Sequence, residues 1–294
     1  MLALARCSPV TALNALTPKG GLAITRNVAY APGDRHSLDI YRPRDARGLP
    51  VIMFFYGGSW REGSKNIYPF VAATLARRGN IVLVPDYRLY PEVQFPAFLQ
   101  DCAQAVAWTE QHVAELGGDP KRVFLMGHSA GAYNAAMLGL DPTYLAAVGV
   151  DRSSLAGVIG LAGPYDFLPI TGPDIRPIFA TVNDGPESQP ISYADGKNPP
   201  MLLLAGTADT VVRPRNSIAL AAKIRAHGGR ADTKFYPGIG HIGLILSIAP
   251  AFQWLAPTLH DVTLFMNAQG AVAGQPAPRV PHEASTPLEG TSAG

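Results

Sequence analysis

The sequence predicts an α/β fold: a mostly parallel, eight-stranded sheet with helices on both faces. Two observations carry this. Short runs that are apolar throughout, rather than at every second residue, alternate with longer stretches of helical spacing, and strands of that kind belong to a sheet covered on both faces. With 294 residues, 47% of them hydrophobic and 16% charged, the chain can also bury one large core.

In chain order, residues 1–22 form an N-terminal segment in which Leu4-Ala5-Arg6-Cys7-Ser8 looks like the end of a bacterial lipoprotein signal. Arg6 and the short approach to Cys7 depart from that pattern. Two readings follow: the remnant of a signal peptide that an upstream start would restore, giving a membrane-anchored lipoprotein, or an inert tail on a cytoplasmic protein. A hairpin is expected near Leu22–Tyr30 and His36–Tyr41, opening a catalytic domain over residues 23–258. Strands are then expected at Val51–Tyr56, Ile81–Pro85, Arg122–Met126, Gly157–Leu161, Met201–Ala205 and Thr233–Tyr236. Helices are expected near Tyr68–Arg78, Phe95–Leu116, Ala130–Leu140, Arg215–His227 and Gly243–Leu255. The Pro-, Gly- and Asp-rich segment Gly163–Pro200, between two strands, reads as a short cap. From Ala271 onward the chain is rich in Ala, Pro, Gly, Ser and Thr without periodicity, so residues 271–294 are expected to be disordered.

Composition removes several functions. The formal net charge is +2 and the basic residues are scattered, so nucleic acid is not expected as a partner. No apolar run approaches membrane-spanning length. Two cysteines cannot build a disulfide framework, and Cys102 in a helical pattern reads as a small core residue. The histidines and acids show no metal-ligand spacing, and no cofactor is implied.

Three segments carry chemistry. Gly127-His128-Ser129-Ala130-Gly131 lies between an apolar strand and a helix-forming run. Gly-x-Ser-x-Gly there forces the serine onto a strained turn with its hydroxyl exposed, and the flanking glycines let strand and helix pass closely. The five residues alone are weak evidence; their setting makes the case. In parallel sheets the ligand lies beyond the carboxyl ends of the strands. Asp209 falls there, just past Met201–Ala205, whereas Asp232 precedes its strand. His241 follows the last strand through Tyr236-Pro237-Gly238-Ile239-Gly240. Ser129, Asp209 and His241 thus read as nucleophile, orienting acid and general base, in the chain order of the α/β-hydrolases. Backbone N–H donors for the substrate oxygen are expected at Ala130 and in the loop Gly57-Gly58-Ser59-Trp60. The rival readings are structural: Ser129 or Asp209 as helix caps, His241 as an ordinary loop histidine, and His128 as a packing residue or a supporting hydrogen bond.

Tyr56-Gly57-Gly58-Ser59-Trp60 resembles the His-Gly-Gly-Gly or His-Gly-Gly-x-Trp loop of the hormone-sensitive-lipase-like, BD-FAE-like esterases and their arylformamidase and feruloyl-esterase relatives. Asp86-Tyr87-Arg88-Leu89-Tyr90-Pro91-Glu92, Phe95-Pro96 and Asp101 look like a second segment of that group, and coverage runs from about Val28 to Leu255. The resemblance implies the α/β-hydrolase fold and carries the oxyanion donors onto Gly58, Ser59 and Ala130. Tyr56 departs from the family's His. It is expected to pack beneath the Gly57–Ser59 turn with its hydroxyl on a backbone group. Tyr87-Arg88 reads as structural, with Arg88 paired to an acid such as Asp86 or Asp101. Trp60, Tyr133, Tyr165, Phe167 and Ile242 flank the catalytic positions and are candidates for an acyl or aryl pocket. The function expected is a serine carboxylesterase acting on a small-molecule ester through a Ser129 acyl-enzyme. The alternatives are an arylformamidase-like amidase using the same residues, and a non-catalytic binding protein on the same scaffold.

Overall fold

A computed structural model describes residues 9–271. The readings of Cys7 and of the tail beyond 271 lie outside the described residues. Helix α1 (Pro9–Leu16) precedes the hairpin of β1 (Leu22–Ala29) and β2 (Ser37–Pro43). There follow β3 (Leu49–Phe55), α2 (Pro69–Ala76), β4 (Ile81–Pro85), α3 (Ala97–His112), β5 (Gly118–His128), α4 (Ala130–Leu140), α5 (Pro142–Ala146) and β6 (Gly157–Leu161). The described residues close with β7 (Met201–Gly206), α6 (Arg215–Ala226), β8 (Ala231–Tyr236), α7 (His241–Leu246) and α8 (Thr258–Ala271).

The eight strands form one sheet in the order β1-β2-β4-β3-β5-β6-β7-β8. Only β1–β2 and β2–β4 pair antiparallel; every other neighbour is parallel. Every residue of β4, β6 and β7 is buried, as their unbroken apolar sequences require of strands covered on both faces. The edge strand β8 instead carries Asp232 and Lys234, polar residues that discourage pairing with another chain.

Besides α1, which lies in a segment where no element was expected, three helical regions differ from expectation. Helix α7 ends at Leu246 rather than reaching 255, because the chain turns at Pro250, which cannot continue a helix. Helix α5 begins after Asp141, whose carboxylate accepts the Thr143 N–H at 2.9 Å. No element was expected after 258, yet α8 lies there and buries Val262, Phe265 and Met266, with Phe265 edge-on to Phe124 of β5. The packed unit therefore continues past 258. No helix among the described residues is long and apolar enough to cross a membrane.

Strand order decides where the site can be. The connections from β3 run toward β4, and those from β5 run toward β6, so the crevice beyond the carboxyl ends of β3 and β5 is a topological switch point. Phe55 at the end of β3 is in register with Gly127 at the end of β5. The two loops expected to carry chemistry leave the sheet side by side.

Candidate active site

Ser129 alone separates β5 from α4 and adopts φ 55°, ψ −123°. A non-glycine residue in that region stores on the order of 1–3 kcal/mol. The strain is held from three sides: the Ser129 N–H donates to the Leu161 carbonyl at 2.9 Å, and the Ser129 carbonyl accepts from Ala132 and Tyr133. The flanking glycines have no room for a side chain. A Cβ on Gly127 would lie 2.1 Å from the Gly131 carbonyl oxygen, and one on Gly131 would lie 2.0 Å from that of Phe55.

Asp209 follows β7 and is 3% exposed. Its Oδ1 accepts the N–H groups of Val211 and Val212, each at 2.9 Å, which fixes the carboxylate. Its Oδ2 is 2.8 Å from Nδ1 of His241, the first residue of α7. This bond assigns the proton to Nδ1 and leaves Nε2 as the basic nitrogen. The loop before His241 folds tightly over β7, since a Cβ on Gly206 would meet the Ile239 carbonyl oxygen at 2.1 Å. His128 supports this arrangement from below. Its Nε2–H donates to the His241 carbonyl at 3.2 Å, and the two rings are 4.8 Å apart. Burial, with the neighbouring imidazole, holds the His128 pKa down to about 3, so it stays neutral.

The loop after β3 turns through three left-handed residues, Gly58 (φ 130°), Ser59 (φ 52°) and Trp60 (φ 56°). Among the described residues, the N–H groups of Ser59 and Ala130 donate to no acceptor, and both residues line the same cavity. Gly58, the third donor expected, does not line the cavity; its carbonyl accepts from Arg61 and Glu62, and its N–H, like that of Ser59, donates to no acceptor among the described residues. Tyr56 lies beneath, fully buried and stacked between Tyr68 and Tyr87. Its hydroxyl meets the Tyr87 backbone, the kind of anchor expected from sequence, and in addition donates to Asp86 Oδ1 at 2.9 Å and accepts from Arg35 at 2.8 Å. Asp86 also receives the Lys65 N–H and Nζ, so a buried charged network underpins the loop. Burial and the Asp86 carboxylate push the Tyr56 pKa up and keep the hydroxyl protonated. Of the two acids offered to Arg88, it takes Asp101, through a bidentate pair at 2.9 and 2.7 Å.

Beside Ser129 opens a cavity of about 310 Å³. Ser59, Trp60, Ser129, Ala130 and Phe167 line it, as the sequence led one to expect for Trp60 and Phe167. The other pocket candidates lie elsewhere. Tyr133 is fully buried and donates its hydroxyl to the Ser188 carbonyl at 2.7 Å. Tyr165 fills the space beside Gly160 and Gly163, where a Cβ would come within 1.9 and 2.4 Å of its hydroxyl. Ile242 is 59% exposed and outside the lining. In their place the wall is built by Pro164, Pro169, Ile170, Thr171, Gly172 and Ile175 of the cap, and by Val211 and Val212 behind Asp209. The cap is fastened to the body by bonds from Phe95 to the Ile178 carbonyl, from Gln94 to that of Pro177 and from Arg61 to that of Asp174.

The BD-FAE family model matches residues 38–224. Among curated proteins, the chain is 31% identical to the probable isoprenylcysteine alpha-carbonyl methylesterase ICMEL1 of Oryza sativa subsp. japonica, over 76% of this chain and 58% of that protein. It is also 31% identical to esterase LipC of Mycobacterium tuberculosis (strain ATCC 25618 / H37Rv), over 82% of this chain and 64% of that one. The chain thus spans less than two thirds of the length of these relatives. Among solved structures, a truncated carbohydrate esterase from gut microbiota superposes with a TM-score of 0.74 at 22% identity, covering 86% of this chain and 99% of the other. Esterase Est2 of Thermogutta terrifontis gives 0.70 at 24% identity, covering 87% and 96%. These structural likenesses concern the fold.

Proposed function

The chain belongs to the BD-FAE family, and from that premise we propose that it is a serine carboxylic-ester hydrolase working through an acyl-enzyme on Ser129. The observation that carries this reading is a conjunction at the carboxyl ends of the parallel strands: a strained serine at φ 55°, a carboxylate 2.8 Å from the ring of His241, and two N–H groups, of Ser59 and Ala130, without acceptors.

In this reading the Ser129 Oγ attacks the ester carbonyl carbon while His241 Nε2 takes the hydroxyl proton. The carbonyl oxygen gains negative charge and is met by the Ser59 and Ala130 N–H groups. Asp209 holds the imidazole in place and stabilises its protonated form. His241 then returns the proton to the departing alkoxide, and water attacks the acyl-enzyme by the same route. The cavity lining includes no charged side chain, which suits a neutral acyl group on a small aryl or alkyl ester.

The test is a panel of aryl and alkyl esters with N-formylkynurenine included, run on wild type and Ser129→Ala. The wild type is expected to hydrolyse esters and to be labelled by a fluorophosphonate at Ser129, and the variant to lose about a millionfold in kcat. Label on another serine, or N-formylkynurenine turned over faster than any ester, would overturn the reading.

A further inference from the structure

Asn134 lies one helical turn beyond Ala130 and is fully buried in the apolar helix α4. A carboxamide is costly to bury, and Asn is a poor helix former, so its presence in a helix interior needs partners to sustain it. Two are present. Its Oδ1 accepts the indole Nε1–H of Trp60 at 3.0 Å, and its Nδ2 points to Sγ of Cys102 in α3 at 3.6 Å. The indole is boxed in by the edge contacts of Tyr133 and Phe179 and by the tilted ring of Phe98. Trp60 is also the last of the three left-handed residues in the loop, and two of those three are not glycine. Such a backbone persists only where its surroundings over-determine it.

We propose that Asn134 is a positioning residue for ester hydrolysis: through the Trp60 indole it fastens the loop that carries the Ser59 donor to the helix that carries the Ala130 donor. The inference rests on the hydrolase reading above. The two donors belong to different elements, and nothing in the loop's own sequence sets their separation. Asn134 shares a helix with one of them and holds the residue next to the other. Because these donors bind most strongly once the oxygen is charged, loosening them lowers kcat and leaves KM nearly unchanged.

Four variants test this: Asn134→Leu, Trp60→Phe, their combination, and Asn134→Asp, which keeps an acceptor for the indole. The readouts are kcat and KM on 4-nitrophenyl butyrate, Tm, and inhibition by a trifluoromethyl ketone, whose adduct on a serine places an oxyanion against the donors. Asn134→Leu and Trp60→Phe are each expected to lower kcat by about tenfold to a hundredfold, with KM within about threefold, and to weaken the ketone by the same factor. The combination should be no worse than the poorer single variant, and Asn134→Asp should recover most of the loss. Wild-type kcat in Asn134→Leu, a loss of kcat without a matching loss of ketone affinity, or multiplicative effects in the combination would each overturn the proposal. If Asn134→Leu does not fold, Trp60→Phe, which retains the ring packing, decides by the same criteria. A wild-type protein that neither hydrolyses esters nor takes the fluorophosphonate would overturn the hydrolase reading, and the positioning role with it.

Discussion

His128 packs against His241 and is fully enclosed by the fold. The folded protein holds His128 at a pKa of about 3, whereas an unfolded chain offers it the ordinary value of about 6.5. Between these values the unfolded state binds a proton that the folded state refuses, so stability drains away as pH falls from about 6.5 toward 3. Each pH unit in that window removes on the order of 1 kcal/mol. His128→Phe keeps a ring in place but has no proton to bind. Thermal melts should give it a lower Tm than wild type near pH 7, because the bond to the His241 carbonyl is gone, and a shallower fall of Tm between about pH 6.5 and 4.5. Parallel falls in the two proteins would show that His128 is not held neutral by the fold. At this scale the sequence was readable where position along a strand fixes a role. Ser129, Asp209 and His241 each follow the carboxyl end of a strand, and that rule needs no coordinates. Tyr133 and Tyr165 show what sequence could not separate, lining a pocket from packing behind one: Tyr133 meets the lining rings of Trp60 and Phe167 edge-on, and Tyr165 fills the space beside Gly160 and Gly163.

Among elements, the junction of β3, β5 and α4 tolerates the least. A methyl on Gly131 would collide with the carbonyl oxygens of both Phe55 and Tyr56, at 2.0 and 2.5 Å, and backbone cannot yield as a flexible side chain does. Gly131→Ala is therefore expected to destabilise the fold by roughly 3 kcal/mol or more and to abolish activity. Gly20→Ala, where an added Cβ meets nothing within 4 Å, should shift stability by no more than about 0.5 kcal/mol. Denaturant melts of the two variants make the comparison, and equal stabilities would contradict the close approach of helix and strand. Elements were legible in proportion to their contrast with what flanks them. Strands β4, β6 and β7 are apolar from end to end and lie between polar or glycine-rich turns. Helix α8 gives no such contrast: Leu259, Val262, Phe265 and Met266 face the core while Leu264 stays 53% exposed, so apolar residues surround the helix and no stripe stands out. Helix α7 was read as too long because the apolar run was followed through Pro250, the residue that ends it.

At the level of the whole molecule, much of the cavity wall belongs to the cap, whose existence the sequence disclosed and whose fit it did not. Composition marks residues 163–200 as irregular, but which of them reach the cavity depends on how the segment is fastened to the loop before α3 and to the loop after β3. In the proposed reaction the carbonyl oxygen turns to Ser59 and Ala130 and His241, which does not line the cavity, serves the departing alcohol, so that the cavity is left to the acyl half of the substrate. Phe167, Ile170 and Ile175 of the cap close it together with Val212, and no cation lines it. A carboxylate at the far end of the acyl chain would lose its water there and gain no partner, a penalty of several kcal/mol. The 4-nitrophenyl ester of butyrate is accordingly expected to exceed the mono-4-nitrophenyl ester of succinate in kcat/KM by about a hundredfold or more, since about 1.4 kcal/mol corresponds to each factor of ten. Phe167→Ala removes part of the wall and should raise the ratio of hexanoate to butyrate hydrolysis by roughly tenfold, the scale of one or two methylenes in an apolar pocket. Comparable rates on succinate and butyrate, or a chain-length ratio unmoved by Phe167→Ala, would place the acyl group outside this cavity and hand the choice of substrate to the open side near Ile242.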